Sequence, residues 1–326
     1  MTHKSQSSSR ELGLGTLAMV ILVACSSLHF VAGIVATLLI PLPVLYLRWK
    51  AGRWRAALIG ISVWFLYGFV TMGSISLPVL MVLATPTLLG ILLGEFLLAG
   101  YPVGRCIAFS TIGCLIALFA VMSTWSTGAD GVPFFESFRA QLQVNMEAAF
   151  EAYGSVGLIP AEQIPEYKEM AKVLTESIFR IFPALFVIGF AVMAWITLVI
   201  ARKIDPMKGL FSKAWEHLKE WQAPDPLIWV LVSAGCLLLL SGPVPKAIGM
   251  NVLLVVLLVY FFQGLSIVAF FFDRKQIPKF IRGIGYAFIL FQEVATLLVI
   301  GLGVFDVWFN IRRIGKNAMD PLNENG

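Results

Sequence analysis

Glu293, preceded by Gln292, lies about nine residues into the last long apolar run, at a depth where a carboxylate too short to snorkel must pair, meet water or stay protonated. Gln263 and Asn251 share the preceding run, and Gln263 is the nearest polar partner for Glu293 in sequence. Glu95 follows Gly90-x-x-x-Gly94, a spacing that lets helices approach closely, and stands near the inner end of its run. Arg180 opens another run from the outer side, where a guanidinium binds an anion or a phosphate headgroup, or simply snorkels. These six side chains are the candidate ligand-binding residues. Their chemistry is ion or solute coupling if Glu293 titrates in use, and a structural hydrogen bond if it does not.

Nothing in the chain reads as a catalytic centre. No H-E-x-x-H, G-x-S-x-G, Walker loop or paired-carboxylate pattern occurs, so no catalytic residue, metal ligand or cofactor is expected. Energy for any transport would come from an ion gradient or a partner protein. Cys25, Cys106, Cys114 and Cys236 lie inside apolar runs without C-x-x-C spacing, and read as small core residues. Gly13-Leu14-Gly15-Thr16-Leu17-Ala18 fits a dinucleotide string but follows no strand, which leaves helix packing. Leu22-Val23-Ala24-Cys25 fits a lipoprotein signal box, yet cleavage there would leave no polar tether before the next apolar run. Prolines interrupt the runs at Pro41, Pro43, Pro86 and Pro183, either at a binding site or at kinks that neighbouring Thr85 and Thr87 satisfy.

The elements that must position these residues follow from composition. Of the 326 residues 59% are hydrophobic and 13% charged, against roughly 25% charged in a soluble domain. That excludes an ordinary soluble enzyme. The net charge of +5 sits in short segments beside apolar runs, which points to membrane orientation and not to nucleic acid. A helix crossing a hydrocarbon core of about 30 Å needs about 20 apolar residues. Leu12 to Leu47 would make about 54 Å of helix, so it reads as two short spans meeting near Ser26-Ser27-Leu28-His29. Further spans are expected over 56–73, 77–98, 106–123, 179–201, 227–241, 249–272 and 284–309. The fold class is all-α: one polytopic transmembrane helical bundle over 1–326, with nine crossings, or eight if 227–241 is re-entrant.

Charge sets the expected orientation. Arg48, Lys50, Arg53 and Arg55, flanked by Trp49 and Trp54, mark a cytoplasmic turn, and Lys4 and Arg10 place the N-terminus on the same side. Residues 124–176 are rich in acids and poor in cations, which places them outside as a two-helix insert. Phe135, Phe138, Leu142, Met146, Ala149 and Tyr153 would form the apolar face of its first helix; Pro160 would open a second carrying Ile164, Met170 and Leu174. In 202–225, Leu210, Ala214, Leu218 and Trp221 recur at helical spacing, the pattern of an amphipathic helix on the inner surface. Nine crossings put Lys246, Arg312, Arg313 and Lys316 outside; eight put Arg274, Lys275, Lys279 and Arg282 there.

The short opening hairpin leading to Pro41-Leu42-Pro43 and Arg48-Trp49-Lys50-Ala51-Gly52, the span around Gly90 to Gly94, Gly249-Met250-Asn251 through Tyr260-Phe261-Phe262-Gln263-Gly264-Leu265, and Gly303-Val304-Phe305-Asp306-Val307-Trp308 together resemble the YybS-like family of bacterial membrane proteins. The resemblance covers nearly the whole chain and implies a relative, not an activity. The first six spans are also similar in layout to the S-components of energy-coupling-factor transporters and to the cell-shape protein MreD. S-components dock through Ala-x-x-x-Ala in their first span, whereas here Ala32-x-x-x-Ala36 falls in the second.

The expected protein is a transporter-like protein of the bacterial inner membrane that binds a small solute or lipid between its helices. The alternative is a scaffold that recruits envelope or division proteins through its basic inner segments; an enzyme acting on lipid is third. The bilayer is its expected partner, with a small solute or a membrane protein beside it. Single-cysteine labelling in a cysteine-free chain is expected to show positions 50 and 203 on the cytoplasmic side and 150 outside. Labelling of 150 from the cytoplasmic side alone would reverse the assignment.

Overall fold

The computed structural model describes residues 9–26, 30–71, 77–125, 134–156, 160–204, 221–309 and 311–312. Among them every regular element is helical. Where water does not reach the backbone, a segment can satisfy its own N–H and C=O groups only as a helix, so apolar runs bounded by charge and glycine become helices. The chain forms two compact units, Met1–Ala214 and Trp215–Gly326.

The first unit contains α1 (Ser9–Cys25), α2 (Phe30–Leu39), α3 (Pro41–Ala51), α4 (Arg53–Val70), α5 (Leu77–Leu83), α6 (Thr85–Leu98), α7 (Val103–Trp125), α8 (Phe134–Ser155) and α9 (Ile164–Ala201). Pro41 and Pro86 stand in the first turns of α3 and α6, where a missing N–H costs little. The interruption expected at Pro183 does not occur, and α9 continues through it. Met19 and Val23 of α1, Ile40, Val44 of α3, and Val63 and Trp64 of α4 are buried together. The Trp64 indole N–H donates to the Thr87 hydroxyl at 2.8 Å, so the threonine after Pro86 serves packing. Gly90 faces the Pro41 carbonyl and Val44, and Gly94 faces the stem of Arg48, which confirms the close-packing reading of that pair.

Ion pairs gather one end of this unit. Lys50 reaches Glu11 at 3.1 Å, and Arg48 grips Glu95 with two bonds of 2.7 and 2.8 Å. Arg53 stands 3.8 Å from the same carboxylate. The start of α1, the end of α3, the start of α4 and the end of α6 therefore meet there.

At 38 residues, α9 is about 57 Å long, nearly twice the hydrocarbon thickness. Its N-terminal half carries α8 as a hairpin. Lys168 pairs with Glu151 at 2.6 Å, Arg139 pairs with Glu176, and the rings of Phe150 and Tyr167 lie 5.4 Å apart. Ala171 and Thr175 are buried in the seam while Met170 and Leu174 are exposed, so the expected apolar stripe is rotated by one residue. The small Ala171 permits the close approach. Pro165, and not Pro160, stands in the first turn of α9. The amphipathic segment expected over 202–225 falls mostly outside the described residues.

The second unit contains α10 (Leu227–Leu239), α11 (Pro243–Arg274), α12 (Lys279–Phe291) and α13 (Glu293–Phe309). Its centre is α11, whose 32 residues extend about 48 Å. Gly249, in its N-terminal half, packs on the Ala234 carbonyl and Leu237 of α10. Gly264, in its C-terminal half, packs on Val299, and Gly303 of α13 packs on the Tyr260 carbonyl. Both partners run antiparallel to α11. The start of α10 and the end of α13 converge beside its middle, where Ile228, Val256, Tyr260 and Ala223 are buried with Val304 and Val307 against them.

Among the described residues five segments are long and apolar enough to cross a bilayer, Ala32–Ala51, Leu80–Leu98, Val103–Ser123, Pro165–Ala201 and Pro243–Arg274, or six if the bent pair α12–α13 counts as one span, against the nine crossings expected. The run 284–309, expected as one span, is not straight. It turns by 99° between α12 and α13, at Gln292, whose extended backbone ends α12.

A methyl group on Gly303 would overlap the Tyr260 carbonyl oxygen, whereas one on Gly301 meets nothing. Gly303→Ala is therefore expected to cost about 3 kcal/mol, read as a lowered unfolding temperature in detergent. Gly301→Ala is expected to leave that temperature unchanged or raise it slightly, because alanine favours the helix. Equal effects of the two would contradict the packing described.

Candidate functional site

The backbone from Trp221 to Pro226 is not helical, lies beside the middle of α11, and has polar groups met by side chains. The Ala223 N–H donates to Gln263 Oε1 at 3.1 Å. The Trp221 carbonyl accepts both Arg312 Nη1 and Nη2 at 3.1 Å. Arg312 follows the end of α13, and its guanidinium also donates to Asp306 Oδ2 at 2.8 Å and to the Ser266 hydroxyl at 2.9 Å. Asp306, on the last turn of α13, accepts Gln263 Nε2 on Oδ2 at 3.1 Å and the Ile311 N–H on Oδ1 at 2.8 Å. Ser266 donates to the Gln263 carbonyl at 2.7 Å.

Helix geometry explains the assembly. Gln263 and Ser266 are one turn apart on α11 and project from one face. The glycine contacts at Gly264 and Gly303 set the α11–α13 register, which brings Asp306 level with Gln263. The side chains of Asp306 and Arg312 are fully buried. The charge-free run Ala247 to Phe272 has its centre beside Tyr260, one turn from Gln263. Exposed apolar residues flank the network on both sides: Trp229, Val232 and Leu239 on α10, and Val294, Leu297 and Leu298 on α13. The ion pair thus lies inside the apolar belt of the unit and not at its rim. Tyr260, also fully buried, has a hydroxyl with no hydrogen-bond partner among the described residues.

The six residues singled out in the sequence do not come together. Glu95 is engaged by Arg48. Arg180 is exposed on α9. The Asn251 amide donates one turn back to the Ala247 carbonyl at 2.8 Å. Gln292 and Glu293 are exposed at the corner between α12 and α13. Only Gln263 joins the buried network, and its acidic partner is Asp306, not Glu293. The reason is the break at Gln292, which moves Glu293 from the middle of a span to a corner. Asp306 belongs to the Gly303-to-Trp308 segment of the family resemblance, and as an acid within an apolar helix it meets the same criterion as Glu293. Arg312 stood out only as a cation on the unfavoured side. The Trp221 carbonyl has no side-chain signal at all.

This chain belongs to the family described as predicted membrane protein (DUF2232), whose model matches residues 17–307. The matched interval includes Gln263, Ser266 and Asp306. The chain is similar to the uncharacterized protein YybS of Bacillus subtilis (strain 168), 23% identical over 302 residues, covering 86% of this chain and 90% of the relative. No solved structure matches. These matches carry the YybS-like resemblance and not the layout likeness to S-components or MreD.

Removing one member of a buried pair leaves an uncompensated charge, at a cost of about 3–5 kcal/mol. Asp306→Leu and Arg312→Met are each expected to destabilise by that amount in detergent unfolding. The double variant is expected to cost much less than the sum, because neither charge is left alone. Additive losses would show that the two side chains do not depend on each other.

Proposed function

We propose that the protein is transporter-like and binds a small solute or lipid within its helix bundle, at the Gln263–Asp306–Arg312 network. The observation that carries this reading is a fully buried ion pair that packs on Gln263 and Ser266 of the long apolar helix α11. Ionisable groups at such depth are costly and accompany substrate or ion pathways. Non-helical backbone is tolerated there only when protein or a cavity surrounds it, and broken helices mark the binding sites of secondary transporters. Here α10 and α13, of 13 and 17 residues, each fall short of the roughly 20 needed to cross. They end where the pair lies.

The network has neutral acceptors that a ligand could replace. Asp306 is the ionic partner of Arg312, while the Trp221 carbonyl is a neutral acceptor on the same guanidinium. An anionic group of a solute would compete with that carbonyl for the guanidinium. In this reading the membrane is the bacterial inner membrane, with the N-terminus and the cation cluster Arg48 to Arg55 in the cytoplasm.

Native mass spectrometry of the detergent-solubilised protein is expected to show a co-purified small molecule. The Asp306→Leu/Arg312→Met variant, folded as judged by its unfolding temperature, is expected to lose it. Retention by the double variant would place binding elsewhere. Absence of any bound species in the parent protein, with cross-linking to envelope proteins instead, would favour the scaffold reading.

A further inference from the structure

Both ends of α12 are polar. Arg274 at the end of α11, Lys275 in the turn that follows and Lys279 at the start of α12 are exposed, and Gln292 and Glu293 are exposed just after its end. A helix of 13 residues is about 20 Å long, so if it ran along the bilayer normal one of these ends would lie deep in hydrocarbon. An exposed Glu at that depth costs several kcal/mol on most scales, and a cluster of three exposed cations costs more. Lying flat, the helix keeps both ends at the headgroup level. The bend of 99° to α13 allows it.

The faces of α12 agree with that orientation. Phe280, Ile284, Phe288 and Phe291 recur every three or four residues and are exposed, Phe291 by 88%. The opposite face is turned to its own chain: Gly285 lies against Phe272, Tyr286 meets the Phe272 ring at 5.4 Å, and Ile289 is buried. Arg282 pairs with Asp273 and donates to the Ile277 carbonyl at 2.7 Å, so it is committed to the turn. The corner at the other end is held by the Thr296 hydroxyl, which caps the Ile289 carbonyl. What remains outward is one apolar face and, at one end, three cations. That is the signature of a helix seated in the interface of an anionic leaflet.

We propose that Lys279–Phe291 lies in the headgroup plane and that Arg274, Lys275 and Lys279 form a binding site for anionic phospholipid. Glu293 then stands at the interface, which accounts for its exposure without assigning it a coupling role. The inference is independent of the network at Asp306 and of the solute reading.

The test uses the full chain in vesicles of phosphatidylcholine mixed with phosphatidylglycerol. Single cysteines replace the exposed Phe280, Ile284, Phe288 or Phe291 and carry a fluorophore whose depth is read by spin-labelled lipids. Depths are expected to agree within about 5 Å, one helical turn; a crossing helix would give a steady gradient of about 16 Å from 280 to 291. In a second arm, native mass spectrometry compares retained phosphatidylglycerol with phosphatidylcholine. The variant Arg274→Gln/Lys275→Gln/Lys279→Gln is expected to lose roughly tenfold of the phosphatidylglycerol preference and to keep its phosphatidylcholine. A depth gradient overturns the in-plane helix, and an undiminished preference in the triple variant overturns the lipid site.

Discussion

An N–H or C=O group that leaves helical form inside an apolar structure has to be met by another polar group, since water is not there to meet it. In the second unit that constraint falls on Trp221 and Ala223, and the answer is Arg312 and Gln263. Each answer makes a further demand. A buried guanidinium needs a counter-charge, which is Asp306, and the carboxylate has acceptor capacity that Gln263 and the Ile311 N–H fill. The network grows from an unsatisfied carbonyl until its charges balance. Its members come from four places in the chain, so it ties the segment before α10 and the residues after α13 to one face of α11.

Glycine makes that network geometrically available. Gly264 and Gly303 let α11 and α13 approach until backbone touches backbone, and the hydrogen bond from Gln263 to Asp306 then needs no stretched side chains. Within a membrane protein, contact of this kind holds helices together in place of a hydrophobic driving force. The first unit shows the same device at lower cost. Gly90 and Gly94 seat α6 on α3, and the fork from Arg48 to Glu95 closes the end of that seam. There the charges lie near helix ends, half-buried, and need no larger network.

Polar residues in the apolar runs therefore have three fates, and the segments packed around each one separate them. Glu95, near the end of α6, is neutralised by cations of adjacent helix ends. Glu293, at a corner, is exposed. Gln263, in α11, and Asp306, near the end of α13, meet beside the middle of α11 and are fully enclosed. Position within a hydropathy run is a proxy for depth only while the run is one straight helix. At Gln292 it is not, and the proxy that selected Glu293 fails there.

Composition and hydropathy by themselves determined that this is a helical membrane protein, that Gly90 and Gly94 pack closely, and that the stretch 124–176 carries a pair of helices. These are local consequences of chain chemistry: an apolar run must close its own hydrogen bonds, and charge or glycine must end it. The tertiary structure decided the rest. It decided the bend at Gln292, which face of α9 meets α8, and which acid lies opposite Gln263. Those depend on contacts between segments distant in the chain, and in the decisive case on a backbone carbonyl, which every residue carries and no sequence pattern can single out.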